Sequence, residues 1–228
     1  MKLLAIDTAT EHCSAALWLD GPGPQRRAPL MRGNGELVLQ LTDQLLAEAG
    51  LSLSQLDAIA FGRGPGAFTG VRLSASTAQG LAFTADLPVI GISNLRALAQ
   101  QLLARPGAPD RGLICQDARM SEVYWGGFRR DAGVAVGEGA EQVSPPTVVL
   151  AAEEWWRVDC WGGGSGFGAF AELARQGAAR LGQVASDLAS HAADIALLAA
   201  RDGLVAAVPA ELAQPVYLRD RVAELPSG

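Results

Sequence analysis

Histidine is nearly absent from this sequence: its 228 residues include two, His12 and His191. A protein metal site usually draws on three or four ligands. Two histidines far apart in the chain, and no His-Glu-x-x-His, therefore argue against a metalloenzyme or peptidase. We read His12 as a solvated turn residue and His191 as an exposed helix opener. Cysteine is scarce as well. Cys13, Cys115 and Cys160 each lie in a strand-like run, which makes them buried free thiols in a reducing compartment. Basic charge is short: 18 Lys and Arg stand against 24 Asp and Glu, for a net charge of −6 and a pI of about 4.9. Phosphate contacts dominate nucleic-acid affinity, so direct nucleic-acid binding by this chain alone is not expected. No apolar run approaches the ~20 residues of a membrane span. The opening Met1–Asp7 meets an acid too early for a signal-peptide core. We expect a cytoplasmic protein with no membrane segment.

What is plentiful is core-forming and turn-forming material. The hydrophobic fraction is 49% and the charged fraction 18%, enough for a packed core. The length allows one large domain or two small ones. Glycine numbers 27, and the motif the chain is organised around is Gly62-Arg63-Gly64-Pro65-Gly66-Ala67-Phe68-Thr69-Gly70-Val71-Arg72. The apolar run 56–61 enters this loop as a buried strand, and a helical pattern leaves it from about Thr69 to Ala85. Thr69 is the expected N-cap. Free N–H groups at such a helix start favour an anion or an acidic partner group. The loop lacks the Gly-Lys-Ser/Thr of a P-loop. It matches G-x-G-x-x-A, yet it follows a run of strands, and no acid ends a second strand to hold a ribose. An NAD site is thus the weaker reading, beside a plain structural turn.

In chain order the pattern predicts strands at 2–9, 13–20 and 26–32, with Gly21–Gln25 as a turn and Gly33-Asn34-Gly35 as a break. Glu36–Ala49 is an amphipathic helix with Leu37, Leu41 and Leu45 on one stripe, closed by Gly50. A strand at 87–92 and a helix at 94–104 follow. Arg105–Asp110 is the linker. The order then restarts: strands at 112–116 and 122–130, a Pro-interrupted edge strand at 142–149, a strand at 158–161, Gly162-Gly163-Gly164-Ser165-Gly166, and helices at 167–176 and 190–202. The tail Gln214–Arg219 is extended. Trp155, Trp156 and Trp161 belong to the second core. Asp7 and Asp117 hold equivalent places at the first turn of each half, and the two glycine loops correspond. Repeated order implies two similar domains, 1–104 and 105–228, facing across a cleft.

Four pieces carry a resemblance: Leu4-Ala5-Ile6-Asp7-Thr8-Ala9, Gly64–Arg72, Asp117-Ala118-Arg119 with Glu122–Trp125, and Pro215-Val216-Tyr217-Leu218-Arg219. Together, and in order along the whole chain, they resemble the bacterial TsaB (YeaZ) family of the machinery that makes threonylcarbamoyladenosine in tRNA. The resemblance implies a duplicated α/β fold of the ASKHA (actin/sugar-kinase/Hsp70-like, ribonuclease H-like) class. It implies a non-catalytic subunit that binds and activates the threonylcarbamoyltransferase TsaD, with the ATPase TsaE joining them, and a homodimer when the partner is absent. It requires no cofactor of this chain. Where TsaD carries a metal-binding His-x-x-x-His, the helix 36–49 has no histidine. Some relatives write serine where Ala67 stands. The superfamily also implies a candidate ATP or ADP site with Mg²⁺ at Asp7, Gly64, Gly66, Thr69, Asp117, Gly163 and Gly164. The competing reading is that both aspartates cap their turns. For the partner surface we expect Leu37, Leu41, Leu45, Val71, Ser74, Ala75, Ala78 and Leu81, with Gly80 permitting a close helix approach; Ala78→Glu is expected to abolish association and leave the monomer folded. The rival function is an autonomous ATP-dependent small-molecule kinase, which would need a catalytic base and ATP turnover.

Overall fold

The first strand, β1 (Lys2–Asp7), buries Leu3, Leu4, Ala5 and Ile6 completely. Both of its faces are apolar, as a strand covered on both sides must be. In the computed structural model, which describes residues 1–29 and 35–219, β1 is the centre of a five-stranded sheet. Its antiparallel partner is β2 (His12–Leu19), and β3 (Pro22–Pro29) follows antiparallel at the edge. On the other side β4 (Ala58–Gly62) and β5 (Val89–Ile92) run parallel to it. The strand order is β3-β2-β1-β4-β5.

The second half repeats this plan. Arg111–Asp117 (β6) is central, with β7 (Val123–Asp131) and β8 (Val134–Gly137) antiparallel on one side. After a short β9 (Gln142–Ser144), which pairs with β7, come β10 (Cys160–Gly163) and β11 (Gln183–Ala185), parallel to β6. Its order, β8-β7-β6-β10-β11, is that of the first sheet. The duplicated two-domain α/β fold is therefore present strand for strand.

Helices cover the outer faces. On the first sheet these are α1 (Leu37–Ala49) and α2 (Phe68–Ala85), which meet Leu4, Ile6, Ile59 and Phe61. The helix α3 (Asn94–Leu103) does not stay on its own sheet. Leu95, Leu98, Leu102 and Leu103 pack against Ile114 and Phe128 of the second. On the outer face of that sheet lie α4 (Pro146–Ala151), α5 (Gly166–Ala169) and α6 (Ala171–Arg180). The last helix, α7 (Ala192–Asp202), returns to the first sheet, where Ala192, Ala196 and Ala199 meet Ala5, Ala16, Ala58 and Ala60. Alanine on both surfaces lets helix and sheet approach closely. The crossed helices bury the junction between the domains, and Arg96 of α3 forks onto Asp202 at 2.6 and 2.9 Å.

Several local expectations change. Residues 22–25 are strand rather than turn, because β3 pairs from Pro22. The predicted strand 26–32 and the break at 33–35 fall partly outside the described residues. Pro145 and Pro146 do not interrupt an edge strand. Pro146 opens α4, where its missing N–H costs nothing. The strand β8 was not expected at all, and the helix predicted over 167–176 is two pieces, α5 and α6, divided at Phe170. All three cysteines are buried and unpaired in strands. Trp155 and Trp156 are core, and Trp161 is half-buried against the separate cluster of Ile114, Phe128 and Leu188.

Candidate functional site: the interdomain cleft and the outer helix pair

The glycine loop is shaped by its own protein. Gly64 has φ +100, in the region that favours glycine. Its N–H donates to Asn94 Oδ1 at 2.7 Å, and its carbonyl accepts from the Asn94 N–H at 3.0 Å. A Cβ on Gly66 would meet the Ala9 carbonyl at 2.8 Å, and one on Gly70 would collide with that of Thr8. The second loop copies this arrangement. Gly164 has φ +103, and a Cβ there or on Gly166 would meet the Cys115 carbonyl at 2.5 or 2.8 Å. Gly163 faces Leu188 and Ile114. In both halves the glycines let a helix start press onto the first strand's end. In the two loops the N–H groups of Gly64, Ala67 and Gly164 already donate within the protein.

The N-cap of α2 is Ala67, without a side-chain hydrogen bond. Thr69 lies inside the first turn and exposed, which corrects its expected capping role. The Ala67 N–H already donates to the Ala9 carbonyl at 2.9 Å.

Asp7 and Asp117 do cap their turns, and in the same way. Asp7 Oδ1 accepts from the Ala9 N–H at 3.1 Å, and Asp117 Oδ1 accepts from the Arg119 N–H at 2.9 Å. Their surroundings differ. Asp117 is half-buried at the cleft and pairs with Arg119 at 3.1 Å. Asp7 is fully buried, and its Oδ2 lacks a geometrically formed hydrogen bond among the described residues. Burial pushes the Asp7 carboxyl up, offset in part by neighbouring Ser190 and Asn94 and by the turn N–H groups.

A cleft of about 790 Å³ separates the domains. Its walls are the first turn with Thr10 and His12, the loop at Gly66 and Phe68, and the second turn with Asp117; the tail Val216–Arg219 lies along it. Of the residues expected at a nucleotide, Gly66 and Asp117 reach this space. Asp7, Gly64, Thr69, Gly163 and Gly164 do not. Among the described residues no group of three or more His, Cys, Asp or Glu side chains could hold a metal ion. His12 Nδ1 lies 3.0 Å from the Arg27 guanidinium. His191 is not an exposed helix opener. It is half-buried as the N-cap of α7, accepting the Ala193 N–H on Nδ1 at 3.0 Å, and burial, Arg27 and His12 push its pKa down.

The outer helices carry the residues expected at a partner surface, and most of these are buried. Leu41, Leu45, Val71, Ser74, Ala75 and Ala78 are buried in the first domain, and Ala78, Leu45 and Ser74 completely so. They hold the helices to the sheet. Leu37 and Leu81 are half-buried. Among the described residues the exposed strip is the other side: Ser76, Gly80 and Phe83 on α2, with half-buried Leu73 and Thr77 between them, and Leu39 on α1. Phe83 is 81% exposed and Leu39 42%. An added Cβ on Gly80 would meet none of the described residues within 4 Å. The helical stripe in the sequence marks the buried side and leaves this one unmarked. Asn94 and the Glu122–Arg219 ion pair were also missed, because both join residues remote in sequence.

Residues 32–226 match the family model described as TsaD, tRNA N6-adenosine threonylcarbamoyltransferase. The tRNA threonylcarbamoyladenosine biosynthesis protein TsaB of Escherichia coli is 41% identical, over 98% of this chain and 96% of that protein. The TsaB of Haemophilus influenzae is 50% identical over 55% of this chain and 52% of its own length. Two Pseudomonas aeruginosa structures superpose closely. One, described as an uncharacterized protein with similarity to peptidase YEAZ, has a TM-score of 0.85 at 41% identity, covering 96% of this chain and 99% of that one. The other, YeaZ, has a TM-score of 0.81 at 39% identity, covering 95% and 100%.

Proposed function

This chain belongs to the TsaB (YeaZ) family, and from that premise we propose that it serves tRNA threonylcarbamoyladenosine biosynthesis as a non-catalytic subunit. Its role is to bind and organise the threonylcarbamoyltransferase, TsaD, whose family model it also matches, with the ATPase TsaE joining the assembly. The same surface pairs two copies when the transferase is absent. The protein acts in the cytoplasm; no described helix is long and apolar enough to cross a membrane.

The observation that carries this reading is the outward strip of α2. Gly80 costs about 1 kcal/mol against alanine in a helix interior. Nothing among the described residues requires it, since none of them comes within 4 Å of a Cβ placed there. With Ser76 and Thr77 it forms a small-residue track beside exposed Phe83, which a helix of a related fold would cover. The partner face is thus Leu39, Leu73, Ser76, Gly80 and Phe83, not the buried stripe.

The test is Phe83→Asp. It should abolish co-elution with the transferase in size-exclusion chromatography while the melting temperature stays within a few degrees. Ala78→Glu should instead unfold the monomer, because it buries a charge against the sheet. An undiminished complex with Phe83→Asp would refute the assigned face. The kinase alternative is not favoured. Asp7, the acid it would place at a phosphate-bound metal, is fully buried and outside the cleft lining.

A further inference from the structure

The tail does not trail off the second domain. Its Val216 N–H donates to the Arg63 carbonyl at 2.7 Å, and the Val216 carbonyl lies 3.0 Å from where a Cβ on Gly64 would be. Tyr217 sits beside Phe68 with ring centroids 6.0 Å apart. Arg72 donates from Nε to the Tyr217 hydroxyl at 2.8 Å and stacks its guanidinium 3.7 Å above the Phe68 ring. Across the cleft, Arg219 grips Glu122 with Nε at 3.0 Å and a second nitrogen at 2.6 Å, and also donates to the Ala118 carbonyl at 3.2 Å. One end is held by the first domain and the other by the second. Val216 and Leu218 border both the 790 Å³ cleft and a second interdomain cavity of about 560 Å³.

We propose that the seat between these two cavities is a groove for an extended peptide bearing tyrosine and arginine two residues apart, occupied here by the chain's own residues 214–219 as a releasable strap. The seat has the parts such recognition needs: a backbone acceptor at Arg63, an aromatic and cationic clamp at Phe68 and Arg72, and a carboxylate with a carbonyl at Glu122 and Ala118. Release is local, because the strap is attached by directional contacts rather than burial. Tyr217 is 46% exposed, and Val216, Leu218 and Arg219 are only half-buried. Segments with few buried apolar contacts open without global unfolding. Opening would join the two cavities into one passage.

Hydrogen exchange on the full chain tests this. Amides of 214–219 should exchange at least a hundredfold faster than those of β1 and β6. In Arg219→Glu, which sets like charges against each other, strap exchange should rise about tenfold with both sheets unchanged. A fluorescent hexapeptide with the sequence of Gln214–Arg219 should bind that variant saturably, and at least tenfold more weakly to the wild type, whose own strap competes. A peptide with glutamine in place of the arginine should lose the interaction. Strap protection equal to that of the sheets would overturn the proposal. So would exchange unaffected by Arg219→Glu, or peptide affinity indifferent to the arginine.

Discussion

Asn94 holds Asp7 at the domain junction. Its Nδ2 donates to Asp7 Oδ1 and to Ser190 Oγ, each at 2.9 Å, while its Oδ1 accepts from the Gly64 N–H at 2.7 Å. One side chain at the start of α3 thereby ties β1, the glycine loop and the approach to α7. All of it is buried, where an abandoned polar group loses water as well as its partner.

Asn94→Ala should therefore cost far more than a surface truncation. It removes three hydrogen bonds and leaves a buried carboxyl with only its turn N–H and Ser190 beside it. We expect a loss of about 3 kcal/mol, read as a lower urea midpoint with an unchanged slope. A loss under about 1 kcal/mol would mean that Asp7 is not held from this position.

How much of this was legible beforehand follows from the range of each interaction. The strand repeat could be read because Leu3–Ile6 and Leu113–Cys115 are apolar on both faces, and central parallel strands must be so. The turn-capping aspartates could be read because the contact spans two residues. The exchange of α3 and α7 could not. A helix with Leu95, Leu98 and Leu102 shows that it has an apolar side, not which sheet receives it. The expected partner stripe is mostly buried for a related reason. Periodicity at Leu41, Leu45, Val71, Ala75 and Ala78 reports burial, and an isolated domain satisfies that without a partner.

Acidity should stabilise this protein over part of its range. Asp194 on α7 is pushed up to about 6, mainly by burial, opposed by the Gln101 amide at 2.7 Å, with Asp7 raising it further. A carboxyl raised in the folded state contributes stability that is fully present below its unfolded value, near 3.8, and is lost as pH rises through about 6. The raised Asp7 acts in the same direction. Asp194→Asn keeps an acceptor for Gln101 and removes the titration. It should raise stability at pH 7 by about 2 kcal/mol and have little effect at pH 4. Urea midpoints at both pH values decide it; an equal effect at each would show that burial of the charge is not the cause.

Two glycines of the same segment should respond oppositely to a single methyl group. At Gly64 the backbone has φ +100, and a Cβ would lie 3.0 Å from the Val216 carbonyl and 3.2 Å from Val71 Cγ1. Gly64→Ala must therefore strain the loop and push away the tail, a loss of about 2 kcal/mol. Gly80 lies within α2 with open space beside it, so Gly80→Ala should stabilise the isolated monomer by about 1 kcal/mol through helix propensity alone. If that space is where a partner helix approaches, the added methyl should also weaken association, by about tenfold. Thermal melts of the monomer and a titration against the transferase measure the two effects separately. A stabilised monomer with undiminished association would leave the glycine unexplained and remove the helix track from the interface.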